Sequence, residues 1–307
     1  MNRVRSLAAV ILVPVLLVAA CGSNDEDTAD DAADVATDAS ADDEHDTAPH
    51  SASDDDIAAQ RAALAQAGTD AGPQAPRDIE SGEGTNQVTF DAAPEYTDLN
   101  LCNIHFHEGA EHKGGDYTTF AGNGDGDGYG SGYLYDGDLT DAEVTDYDGE
   151  VGKTEHGDLV PGDTIEIHYV YSADPIVPGP TLGACLADAD APQPQLRVEA
   201  HVYVLVNDES AADFMTLTET TEVNGVHQAV SIPTELGTPV SYAGSTTGPD
   251  YNEEPSPFNV TWSVSPEVLK VDISTVAEWL EGNEFDEDHA HAVRNLVINP
   301  ELLAPIG

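Results

Sequence analysis

The sequence predicts a mostly β (α+β) domain built on a large sheet with few short helices, and three observations carry that reading. Stretches 87–90, 100–106, 164–171, 195–206, 240–243 and 258–264 are rich in Val, Ile, Tyr and Phe. Clusters of Gly, Pro and Asp separate them, and helical periodicity is scarce. The best helix is 273–280, with Asp272 or Ser274 as N-cap and Gly282 as the stop. Segment 289–296 reads as a further turn or two of helix. No internal repeat is present, so residues 86–307 read as one domain.

The chain has 307 residues, with 59 Asp and Glu against 9 Lys and Arg, a formal net charge of -50. Such a field excludes nucleic acid and anionic membrane as electrostatic partners. An acidic surface of this kind suits work in high salt, where screening acts over about 3 Å at 1 M. A halophilic protein of this type is expected to show a melting temperature that rises with added NaCl; a flat or falling response would contradict the reading.

The address is read from the first residues. Arg3 and Arg5 precede an apolar run from Leu7 to Ala20, the layout of a secretory signal peptide over 1–20. The run is short for a membrane span. It ends Val18-Ala19-Ala20-Cys21-Gly22, which resembles a bacterial lipoprotein box. Cys21 is therefore expected to carry the lipid, giving a secreted, extracytoplasmic protein that meets the bacterial cell membrane only through its N-terminal anchor. From Ser23 to Asp56 the chain has no Lys, Arg or aromatic residue, and 21–85 reads as a disordered acidic linker with a short helix at 57–67. His45 and His50 in it read as solvated bystanders.

Two cysteines remain, Cys102 and Cys185. In an oxidising compartment an even pair reads as a disulfide. On the chain-entropy model a loop this long contributes about 4–5 kcal/mol. The bridge would brace the strand that carries His105 and His107. The Gly-rich run 122–128 resembles half of a calcium loop, but Leu134 stands where an EF-hand needs its bidentate Glu, so an acidic surface turn is the better reading.

His105 and His107, two apart on a strand, point to one side and bring two imidazoles to one point. A catalytic zinc takes three protein ligands and leaves a position for water. Two strands offer the third. Glu199-Ala200-His201 and Glu166-Ile167-His168 each place a Glu two residues before a His, where it can orient the ring and raise its basicity. Strand patterning alone does not choose between them.

His105-Phe106-His107-Glu108-Gly109-Ala110-Glu111-His112 resembles the H-x-H-x-G-A-E-H signature of the delta-class carbonic anhydrases. Glu199-Ala200-His201 running on to Asn207 is similar to the third-ligand strand of the alpha class, though Asn207 comes one residue late. The stretch from Tyr242 through Gly244-Ser245-Thr246-Thr247 to Pro249 resembles the alpha-class Y-x-G-S-L-T-T-P-P without its Leu, and Val260-Thr261-Trp262 matches V-T-W. No histidine stands in the thirty or so residues before His105, where alpha-class enzymes carry a proton shuttle.

The resemblance implies an alpha-carbonic-anhydrase-like fold with a large central twisted mixed β-sheet and few short helices. It implies a lyase that hydrates CO2 reversibly to bicarbonate through a zinc-bound hydroxide. It assigns His105, His107 and His201 to the metal, with Glu199 behind His201. It gives Glu111 the proton of a gatekeeper hydroxyl on Thr246 or Thr247, and gives Val202, Val260 and Trp262 the apolar substrate wall. Zinc follows from the imidazole ligands, with Co2+ or Cd2+ able to occupy the same set. The competing reading is a non-catalytic metal-binding surface lipoprotein, a scavenger. An esterase of the nucleophile-elbow type is disfavoured because no Gly-x-Ser-x-Gly occurs.

Overall fold

The computed structural model describes residues 51–246, 255, 256 and 258–306. The signal peptide, Cys21, His45, His50 and Thr247 lie outside the described residues. Strands β1 (Asn100–Glu108), β4 (Thr164–Ser172), β5 (Leu196–Val206), β8 (Val240–Ser245) and β9 (Asn259–Asp272) form a five-stranded mixed sheet in the order β1-β4-β5-β9-β8. Only the β5–β9 pair is parallel. β2 (Thr119–Asn123) pairs with β3 (Ser131–Leu134), and β6 (Thr220–Val223) with β7 (Val226–Ala229), as two small ribbons. β4 and β5 are buried along their whole length, as expected of central strands covered on both faces.

One face of the sheet packs Phe106, Ile167, Tyr169 and Tyr203 against Phe214, Val276 and Trp279. Part of that cover is the short helix α2 (Phe214–Leu217), and part is α3 (Ile273–Leu280), which begins where the sequence puts it, the Asp272 side chain accepting from the Ser274 N–H. The other face packs Val170, Val198, Ala200, Tyr242 and Trp262. Cys102 and Cys185 are bonded, with their Cα atoms 5.0 Å apart. A register shift between Leu101 and Asn103 breaks regular alternation at Cys102, just before the paired histidines.

Three sequence expectations are corrected. Stretch 87–90 forms no strand. Segment 289–296 is extended: the His291 N–H donates to the Phe106 carbonyl and the His291 carbonyl accepts from Glu108, while the Val293 and Arg294 N–H groups donate to the Gly128 carbonyl and to Glu111, so these backbone groups are used outside any helical turn. The compact unit takes in the described residues from 51 onward, so much of the supposed linker belongs to the domain. Helix α1 (Asp54–Ala67) starts three residues early because Ser53 and Asp56 form a reciprocal capping box. Leu64 then packs with Val297 and Leu303, the Arg61 Nε donates to Asn295 at 2.8 Å, and Ile79 is buried further on. Apolar residues that sparse give no periodic signal in an acidic background. In the Gly-rich run, Asp125 Oδ1 accepts from the N–H groups of Asp127, Gly128 and Tyr129, so its carboxylate caps a turn.

Candidate metal centre

Antiparallel pairing sets His105 of β1 opposite His168 of β4, and His107 opposite Glu166. Directly opposed residues share a face, so three imidazoles and one carboxylate meet on one side of the sheet. Ligand nitrogens of His105, His107 and His168 all lie within 4.8 Å of one another. Tetrahedral zinc needs its nitrogens about 2.0–2.1 Å from the metal, so modest closure completes the set. Each ring is also held at its other nitrogen. His105 Nδ1 meets Asn103 Oδ1 at 2.6 Å, His107 Nδ1 meets the Ala292 carbonyl at 2.9 Å, and His168 Nε2 meets Glu166 Oε1 at 2.9 Å. That leaves Nε2, Nε2 and Nδ1 to ligate; two of them, His105 Nε2 and His168 Nδ1, already stand 3.3 Å apart.

The electrostatics favour the neutral imidazoles that a metal requires. Burial first, then the neighbouring histidines, hold His105 well below the usual histidine range. Burial lowers His107 to about 4 against the opposing pull of Glu111. Glu166, fully buried, also accepts from the His112 backbone N–H at 3.0 Å and meets His112 Nδ1 at 2.6 Å. Burial alone would raise Glu166, but the contacts with His112 and His168 outweigh it and hold the carboxyl well below its ordinary value. His112 Nε2 meets the Tyr242 hydroxyl at 2.6 Å, which ties β8 to the site.

His201 is not part of this cluster. It pairs with Ile167, whereas His168 pairs with Ala200, so His201 occupies the opposite face, with its ring against Tyr169 and Tyr203. Glu199 does not orient it: the Glu199 carboxylate is bonded to Arg197, and neither ring nitrogen of His201 has a hydrogen-bond partner among the described residues. His168, with Glu166 behind it, takes the place the sequence reading gave to His201 and Glu199. Register decides this, and register is a property of two strands, which one strand's pattern does not contain.

Glu111 is buried, and its Oε1 accepts from the Arg294 N–H at 3.0 Å. Burial would raise it, but His107, His168 and that N–H leave it lowered. Glu111 and Thr246 line one small cavity of about 10 Å³, and the Thr246 hydroxyl lies 2.8 Å from that of Ser256. Of the three wall residues, Val202 stands opposite Glu166 and Trp262 lies 5.0 Å, centroid to centroid, from both His112 and His168. Val260 does not reach the site. It sits four positions along β9 from Val264, the partner of Ala200, about 13 Å away along the strand, and packs as core.

Sequence reading missed His291. Its ring lies 5.4 Å from that of His105 and 5.8 Å from that of His107, and its Nε2 meets Glu287 at 2.6 Å. Its available signal was the second H-x-H of the chain, His289-Ala290-His291, beside an acidic run.

Fold and site together define a β-sheet protein with a three-histidine cluster suited to hold a metal, each ring of which is oriented from behind. Residues 96–275 match the family model described as delta carbonic anhydrase, and the chain belongs to that family; it is a carbonic anhydrase. Among solved structures, the alpha-carbonic anhydrase of Thermovibrio ammonificans in complex with the inhibitor sulfanilamide is similar at 13% identity, covering 74% of this chain and 84% of that one, with a TM-score of 0.28. A halotolerant carbonic anhydrase from Dunaliella salina is similar at 14% identity, covering 77% and 88%, with a TM-score of 0.29. No curated protein sequence matches the chain.

Proposed function

We propose that the chain hydrates CO2 reversibly to bicarbonate at a zinc ion held by His105, His107 and His168. The observation that supports this best is the convergence of three rings whose other nitrogens are each held by a separate acceptor. Zinc bound by three neutral imidazoles keeps its full charge, polarises oxygen ligands, and lowers the pKa of water from about 15.7 to about 7.

The protein's own groups supply position and exclusion. Asn103, Ala292 and Glu166 fix which imidazole nitrogen faces inward. Glu111, kept ionised, accepts a hydrogen bond from the gatekeeper hydroxyl, so that hydroxyl must in turn accept from the attacking oxygen and aim its lone pair at the substrate. Thr246 fits that part by sharing a cavity with Glu111. Val202 and Trp262 give CO2 an apolar wall. The acidic chain costs a neutral substrate nothing and speeds the departure of bicarbonate. The Cys21 lipid anchor, which would hold the enzyme outside the cytoplasm, belongs to the same proposal; a mature N-terminus without lipid by mass spectrometry would remove it.

The test is stopped-flow CO2 hydration beside elemental analysis of the same sample. Activity is expected to fall to the buffer rate after chelation and return with one equivalent of zinc. One tightly bound zinc with no turnover would favour the scavenger instead.

A further inference from the structure

β5 carries Arg197, Glu199 and His201 on the face turned away from the three-histidine cluster. Beside them the parallel β5–β9 ladder slips, pairing Ala200 with Val264 and then Val202 with Val268. Residues 265–267 of β9 leave the ladder there, as a bulge does, and open space next to His201. A cavity of about 300 Å³ occupies that place, with Tyr96, Glu199, His201, Pro239, Ser263 and Ser265 among its walls. That is the lower end of the range of about 300–1,000 Å³ typical of small-molecule pockets.

His201 is only 4% exposed, yet neither ring nitrogen has a hydrogen-bond partner among the described residues. Buried polar groups are nearly always paired, so this ring marks a place where a partner enters. Burial lowers its pKa to about 4, so at neutral pH it presents one donor and one acceptor. Two hydroxyls, one donating to the bare nitrogen and one accepting from the N–H, answer both needs. The charges around the cavity are already answered by one another. Arg197 is bonded to Glu199 and lies 3.3 Å from Glu95, and the Ser263 hydroxyl also bonds Glu199. An anion would find no unpaired cation there and would face a chain of net charge -50. A cation would find Glu199 already bonded to Arg197, and Glu95 at the solvent-exposed rim beside the same guanidinium. Pro239 and the ring of Tyr96 suit the C–H edges of a polyhydroxylated molecule.

We propose that this cavity binds an uncharged polyhydroxy compound, a polyol or a monosaccharide, through His201 and Ser263. The site lies on the far face of the sheet and does not rest on the CO2 chemistry.

Titration calorimetry on the zinc-loaded full chain tests it, with glycerol and glucose as probes and sodium phosphate and ethanolammonium chloride as charged comparators. The side-chain 15N signals of labelled histidines report where each probe acts. A saturable response to glycerol or glucose is expected, with the His201 signals moving and those of His105, His107 and His168 still. Binding should weaken about tenfold in His201→Leu and in Ser263→Ala. If His201→Leu does not fold, Ser263→Ala decides alone. The glycerol and glucose arms separate a small polyol from a sugar ring. Saturable binding of only a charged probe, no saturable binding at all, or binding indifferent to the substitutions would each overturn the proposal.

Discussion

His168→Ala is expected to remove the tightly held metal and to lower kcat/KM for CO2 hydration on the order of a thousandfold, about 4 kcal/mol of transition-state stabilisation. The ring stands opposite His105, with its Nδ1 3.3 Å from His105 Nε2, and no other histidine of β4 can replace it. His201→Leu makes the comparison sharp. That ring occupies the other face of the sheet, so metal content and hydration rate should stay within about threefold of wild type. Replacing an unpartnered buried imidazole with an apolar side chain should also not destabilise the fold, since the native group bears an unmet polar cost of about 1–3 kcal/mol. Metal content by elemental analysis, stopped-flow rates and urea midpoints of both variants read all of this. Loss of metal in His201→Leu with retention in His168→Ala would reverse the assignment.

The second large effect belongs to Glu166. Its carboxylate touches His112 twice and His168 once while fully buried, so it holds a ligand ring and joins β4 to the H-x-H segment. Truncating one member of such a network leaves buried polar groups without their partner and typically costs about 3–5 kcal/mol. Losing the group that orients a ligand typically weakens metal binding about 10–100-fold. Glu166→Ala is therefore expected to show both losses, in urea titration and in competition with a chelator of known affinity. Glu166→Gln, which keeps the shape and one acceptor oxygen, should recover part of the stability. If Glu166→Ala matched wild type in both measurements, the orienting role would be wrong.

Much of this architecture is legible in the chain because strand signals are local. The alternation and β-branched content of 100–106, 164–171 and 195–206 locate β1, β4 and β5 within two residues, and Asp272 announces α3. The His105–His107 pair is visible for the same reason, since two residues on one strand need no partner strand to share a face. The third ligand is different. Glu166-Ile167-His168 and Glu199-Ala200-His201 are the same local pattern, and only the pairing of 105 with 168, and of 167 with 201, separates ligand from bystander. Other misreadings have the same origin. Segment 289–296 looks helical until β1 claims its backbone groups, and 54–85 looks like spacer because Leu64 and Ile79 find their neighbours some 35 to 240 residues away.

The central claim is that one metal sits between His105, His107 and His168, on one face of one sheet. Anomalous diffraction from crystals of the zinc-loaded protein, collected on both sides of the zinc absorption edge, tests it without reference to turnover. A single strong peak is predicted within bonding distance of His105 Nε2, His107 Nε2 and His168 Nδ1, with none beside His201. A peak at His201 and Glu199, or a peak whose protein ligands omit His168, would contradict it.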